Sequence, residues 1–368
     1  MKTKIQSLKE QINNLTDPRR TSYGNIRHKL EDMIIIGLCT VICGGEDYAD
    51  MEAFGMERED FLRKFLELPN GIPDSDTFRR LFEKLDPVEL SECLVNWLAV
   101  ELPERCVIAV DGKTIRGSGN KKHKAYHVVS AFVTESQITL GEIMVDEKSN
   151  EITAVPELLE LLYLNNAIIT ADSMSCQRKI VKKIIDAEAD YCIALKGNQP
   201  ALCKDVEDYF HDCGKEASAY KNAEKGHGRI EIREYYLSCD IDWLEQKNEW
   251  AGLLGIGMVK SKVIEGENES EFTRYFITSL TDVMEFAYAV RKHWSVENQL
   301  HWCLDVIFRE DAARARKEMS PLNMNVLRKT ALSLLNQAKY GRFSKKKMMF
   351  KASLNPDVLL SVLLAGNK

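Results

Sequence analysis

No apolar stretch of this 368-residue sequence is long enough to span a bilayer. The longest run, Met33 to Cys43, falls well short of the roughly 20 residues that a membrane helix requires. The opening MKTKIQSLKEQ lacks the apolar centre of a secretory signal, so a cytoplasmic, nucleoid-associated protein is the expectation. Paired cysteine motifs are missing too. The 10 cysteines form no C-x-x-C and stand at no zinc-finger spacing from histidine. Cys203, His211 and Cys213 come nearest to a metal cluster, but buried, reduced thiols are the simpler expectation. Nor is there an excess of positive charge: 50 Lys and Arg face 56 Asp and Glu, a formal net charge of −6. That average argues against a nucleic-acid partner until it is resolved along the chain. Residues 1–29 hold 7 basic and 2 acidic groups and residues 291–351 hold 14 and 5, so two basic ends flank an acidic centre.

What is present is enough apolar residue, 45%, to bury a core without disulfides, over a length that suggests about two domains. Residues 1–102 read as helical. Ile26, Leu30, Met33, Ile34 and Gly37 through Cys43 follow a helical period. Pro73 to Thr77 opens a second helix with Asp or Ser as N-cap, and Phe78, Leu81, Phe82 and Leu85 form its apolar face. The pattern then changes. Short apolar runs at 106–110, 126–134, 138–145, 167–170 and 191–195 read as strands, with helices at 155–164 and 177–187. Three consecutive strands followed by helix–strand–helix–strand predict a mixed sheet with helices on its faces. Further strands are expected at 229–237, 253–263 and 272–278, and helix from Asp282 onward.

Carboxylates just past strand ends line the crevice of an open α/β sheet. Asp111 follows the apolar run Cys106–Val110, and Asp172 follows Ala167–Ala171. Glu297, His301 and Asp305 recur every four residues on a predicted helix and share one face, while Val296, Leu300, Cys303 and Ile307 suit burial. Two aspartates and a glutamate make an oxygen ligand set for a hard divalent cation, suited to phosphoryl displacement. Each aspartate alone reads more readily as a turn former, and Glu297 as a solvated face residue, so spacing alone does not establish the site.

The flanking residues narrow it. V-D-G-K-T-I-R-G-S (110–118), E-K-S-N-E-I-T-A-V-P-E-L-L (147–159), T-A-D-S-M-S-C-Q (170–177) and Y-C-I-A-L-K-G-N-Q (191–199) occur in order. G-H-G-R-I-E-I-R (226–233) and R-K-H-W-S-V-E-N-Q-L-H-W-C-L-D-V-I-F-R-E-D-A-A-R-A-R (291–316) follow, and P-D-S-D-T-F-R-R-L-F-E-K-L-D-P (73–87) precedes. Together these resemble insertion-sequence transposases of the ISAs type, the group that includes the H-repeat-associated proteins, over nearly the whole chain. The resemblance implies a DDE transposase: an α/β, RNase H-like mixed sheet with flanking helices, a β-rich insertion before the catalytic Glu, and a helical N-terminal domain. It divides the chain into a DNA-end-binding region (1–102), the first part of the core (103–213), the insertion (214–280), and a helical part carrying the Glu and a basic tail (281–368).

Carried over by motif, the catalytic and metal-binding residues are Asp111, Asp172 and Glu297, holding two Mg2+ ions for which Mn2+ can substitute. The expected substrate is double-stranded DNA, at the element's terminal inverted repeats and at the target, engaged by a homodimer or larger assembly. Cousins place Tyr, Arg and Lys around the Glu, whereas this chain has Val290, His293 and Leu304 there. His301 and Asp305 are expected to orient Glu297 or a metal-bound water from behind. Lys113 and Arg116 are expected to hold backbone phosphates, as are Lys196, Asn198 and Gln199 in a flexible turn, and Arg229 beside His227. Arg291, His293, Arg314 and Arg316 complete the expected DNA contacts. Trp294 and Trp302 are expected as core anchors, and Lys148 with Glu151 as an ion pair. A structure-selective nuclease such as a junction resolvase and a non-catalytic DNA-binding descendant are the alternatives.

Overall fold

The computed structural model describes residues 2–19, 24, 26–98, 102–119, 124–145, 150–214, 217–226, 228–338, 341 and 343–365. Six helices come first: α1 (Lys2–Ile12), α2 (Leu30–Ile42), α3 (Tyr48–Glu57), α4 (Glu59–Leu62), α5 (Ser75–Phe82) and α6 (Pro87–Leu98). The Asp74 side chain accepts from the Thr77 backbone N–H at 2.6 Å and so caps α5, leaving Phe78, Leu81, Phe82 and Leu85 buried. Pro87 opens α6, where its missing N–H costs nothing. Helix α2 is buried on every side from Asp32 to Ile42, and a helix apolar all round needs neighbours all round.

The core follows as β1 (Val107–Thr114), β2 (His127–Val133), β3 (Ile138–Val145), α7 (Glu151–Glu160), β4 (Ile168–Ala171), α8 (Arg178–Asp186), β5 (Asp190–Leu195) and α9 (Pro200–Asp212). Then come β6 (Ser218–Gly226), β7 (Arg229–Ser238), β8 (Gly255–Glu265), β9 (Asn268–Thr278), α10 (Val283–His293), α11 (Ser320–Gln337), α12 (Lys345–Leu354) and α13 (Pro356–Leu363). Among the described residues the nine strands form one sheet, ordered β3-β2-β1-β4-β5-β9-β8-β7-β6. Its first five strands, with β1, β4 and β5 parallel and β2 and β3 antiparallel, are the expected RNase H-like arrangement. The inserted strands β6–β9 extend that same sheet, because β9 pairs antiparallel with β5.

Strand alternation divides the packing. Ile108 and Val110 face α7, α8 and α9, whereas Val107 faces α10 and Ala109 joins the helical core. That helical core joins α1–α6 to α11–α13, so the two ends of the chain share one apolar interior. A buried ion pair ties α11 to the sheet: Lys329 bonds Glu142 on β3 and donates to Ser130 Oγ on β2 at 2.8 Å. No helix among the described residues is long and apolar enough to cross a membrane.

Some expectations shift. Strand β1 does not stop before Asp111 but runs on to Thr114, because β2 stays paired with it to the Thr114–His127 register. Only the parallel partner ends: its last register is Val110 with Ala171, which leaves Asp111 and Asp172 side by side just beyond. Helix α7 starts at Glu151 rather than Val155, since the Asn150 side chain caps it by accepting from Ile152 N–H. Helix α9 and strand β6 were not anticipated. Lys148 and His227 lie outside the described residues.

Candidate active site

Asp111 projects from β1 toward the helical segment that follows α10. That segment winds in π-helical turns over Val296–His301 and Cys303–Ile307, wider than an α-helix. Val296, Leu300, Cys303 and Leu304 are buried and fix it against the core. Glu297 and His301 remain one above the other, with His301 Nδ1 3.3 Å from Glu297 Oε2 and 3.6 Å from Asp111 Oδ2. Asp305 does not stay with them. The altered winding turns it to Lys113 Nζ at 2.5 Å, which also meets Glu310 at 3.2 Å.

One donor atom each from Asp111, Glu297 and His301 lies within 4.8 Å of the other two. Asp172 stands outside that set but acts on it electrostatically. Burial pushes the Asp111 carboxyl up to about 7, against a hydrogen bond from Gly112 N–H, and the charges of Glu151, Asp172 and Glu297 raise it further. Burial also raises Asp172, with Glu151 adding to the shift, while the Met174 and Ser175 N–H groups and Lys196 oppose it. Burial drives His301 down to about 3, helped by Lys329 and Lys113, so its imidazole is neutral and offers a lone pair. Crowded carboxylates beside a neutral imidazole suit a hard divalent cation, which would relieve their mutual repulsion.

The other expected residues fall into two groups. Exposed are Arg116, 3.7 Å from Asp311, Lys196, Arg314, and Arg316, which donates to Gly117 C=O at 2.9 Å. Arg229 and Arg291 line a cleft of about 820 Å³ with Arg233 and Arg274, paired to Glu231 and Glu224. Trp294, Asn298 and Trp302, from the segment bearing Glu297, form its opposite wall. The two tryptophans are therefore not core anchors: they are 44% and 52% exposed, and Arg274 stacks over Trp294.

The second group is engaged within the protein, with Lys113 buried and Asn198 still exposed. Lys113 is 7% exposed and held by two carboxylates, so it ties β1 to the segment after Glu297. His293 bonds Thr170 Oγ1 at 3.1 Å, and burial lowers it to about 4, leaving it neutral. Asn198 and Gln199 donate to Ser173 C=O and Cys176 C=O, locking the turn after β5 onto the turn after Asp172. Glu151, expected only as an ion-pair partner of Lys148, which lies outside the described residues, meets His127 Nε2 at 2.7 Å. Cys203, His211 and Cys213 form no metal group among the described residues, and every cysteine is a free thiol.

The family model described as "Transposase DDE domain" matches residues 102–334, and one described as "DDE_Tnp_1-associated" matches residues 9–98. The chain belongs to the DDE transposase family. It is 38% identical to the "H repeat-associated putative transposase YhhI" of Escherichia coli K12, over 98% of each chain. It is also 38% identical to the "Putative transposase YncI" of E. coli O157:H7, over 98% of this chain and 95% of that one. A relative from Xanthobacter autotrophicus, described as the "Uncharacterized protein in dhlA 3'region", is 39% identical over 73% of this chain. DDE transposase domains use divalent metals, and in this transposase the acidic group with His301 has the donors to hold one.

Proposed function

We propose that this transposase binds the terminal inverted repeats of an insertion sequence, cleaves the strand there, and joins the freed 3′-hydroxyl to target DNA in a metal-dependent reaction. The observation that carries this reading is the meeting of Asp111 and Glu297, from a central strand and a distant helical segment, with Asp172 in the adjoining register. Bound there, divalent cations would polarise the scissile phosphate and lower the pKa of an attacking water or hydroxyl. Asp111, Asp172 and Glu297 supply the oxygen donors, and His301 presents a neutral nitrogen to two of them. Lys196, whose charge acts on Asp172, and Arg116, Arg314 and Arg316 offer exposed positive charge for backbone phosphates. The arginine-rich cleft continues that charge along the wall beside Glu297. Both displacements are in line at phosphorus, so one site serves both, and joining two ends calls for a dimer or larger assembly.

The test uses a linear DNA carrying the element's ends, with and without Mg2+. Wild type is expected to cleave at the repeat boundary and to join the product. D111N, D172N and E297Q are each expected to abolish both steps while end binding persists. Strand transfer by any of the three would overturn the site assignment. Cleavage without repeat specificity would mark a structure-selective nuclease, and repeat binding without cleavage a non-catalytic DNA binder.

A further inference from the structure

Gly112 follows Asp111 in β1 and points to the face covered by α7. A side chain there has no room: a Cβ would collide with Glu151 Oε1 and stand 2.6 Å from His127 Nε2. The gap left by the missing side chain is filled by the Glu151 carboxylate. That carboxylate is held from behind by a chain of hydrogen bonds. His127 Nε2 meets Glu151 Oε1 at 2.7 Å, and His127 Nδ1 meets Thr114 Oγ1 at 2.9 Å. Thr114 and His127 face each other across the β1–β2 register, so the clamp is built on sheet backbone. Asn150 caps α7 and sets Glu151 as the first residue of that helix. The outcome is a glutamate 17% exposed whose charge is the leading carboxylate influence on both Asp111 and Asp172, ahead of their influence on each other at Asp111.

Glu151 thus lies against β1 at the position next to Asp111, where the strand lacks a side chain, and its charge acts on both aspartates. We infer that Glu151 is a fourth carboxylate ligand of the divalent-cation site, positioned by the Thr114–His127 hydrogen-bond chain and admitted by Gly112. This inference rests on the metal-dependent reading above and adds a ligand to it. Outer partners that orient a ligand contribute to affinity in their own right, and His127 takes that role here.

The experiment is Mn2+ binding to the full chain without DNA, followed by the electron paramagnetic resonance of free Mn2+, for wild type, D111N, E151Q and E151D. Metal-free melting curves of the same proteins check their fold. Wild type is expected to bind and D111N to lose binding. E151Q is expected to bind about tenfold to a hundredfold more weakly, with its metal-free melting temperature unchanged or raised because a crowded charge is gone. E151D keeps the charge in the first turn of α7 but shortens the arm, and is expected to weaken binding as well. It decides the matter if E151Q fails to fold. Wild-type affinity and stoichiometry in the folded Glu151 variants, with binding lost in D111N, would overturn the fourth ligand and leave the metal site standing. Equal binding by wild type and D111N would overturn both.

Discussion

Burial among like charges holds the Asp111 carboxyl near neutrality, and this fixes the sign of its pH dependence. Its pKa rises from 3.8 to about 7 on folding, so between those values the folded protein keeps a proton that the unfolded chain releases. The stabilisation this gives is complete below the ordinary carboxylate range and is lost as pH rises toward about 7. His301 acts in the opposite direction, since its depressed pKa costs stability as pH falls through the ordinary imidazole range. The difference between wild type and D111N isolates the aspartate. Without metal, the melting temperature of D111N relative to wild type is expected to rise with pH across that window. Mg2+ at about pH 8 is expected to stabilise wild type and not D111N, because only wild type gains a ligand for the ion. Melting curves in chelator and in Mg2+ measure both. At this scale the sequence was legible where chemistry and strand endings coincide, as at Asp111 and Asp172. It was silent where an interaction depends on a partner far along the chain. Lys113 is a free cation to a reader of VDGKT, and only the fold reveals Asp305 and Glu310 around it.

Elements tell a similar story with different physics. The core strands were readable because their apolar runs are buried on both faces, and α5 because its cap and apolar face agree. Strand β6 was not, since its side chains are mostly exposed and polar and it is held by its partner β7 and, far along the chain, by α10. The π-helical turns after α10 were not either, because a periodicity argument assumes α geometry, and that assumption misplaced Asp305. Helix α11 carries a feature that patterning alone would call an error, a lysine at a buried position. Lys329 is 5% exposed and is answered by Glu142 and Ser130. K329M would leave the Glu142 carboxylate nearly buried without a cation, and is expected to cost about 3–5 kcal/mol. The double variant K329M/E142M removes the stranded charge and is expected to recover much of that loss. Denaturant unfolding of the three proteins measures the difference, and equal destabilisation by the single and double variants would count against the pair.

For the whole molecule, the formal charge of the basic C-terminal segment overstates what DNA can meet. Arg328 is 2% exposed and Lys329 5%, each opposed by a buried glutamate, while Lys346 and Lys347 on α12 are exposed. Deleting the segment would not report on DNA binding, because α11–α13 complete the core of α1–α6. Neutralising K345Q, K346Q and K347Q together leaves that core intact. If this cluster lies on the DNA path, the slope of log affinity against log salt is expected to flatten by about one for each phosphate that is no longer neutralised. An unchanged slope would place the cluster off the path.

The shared interior of the two chain ends also sets a timetable. Helix α2, buried on all sides, is made long before α11–α13, which share its core. The amino-terminal helices therefore cannot finish packing until α11–α13 have emerged, and until then they present a sticky surface that invites aggregation or a chaperone. Closure over so long a separation is intrinsically slow. A chain cut short before α11 never receives the other half of this core, so its maturation waits for α11–α13.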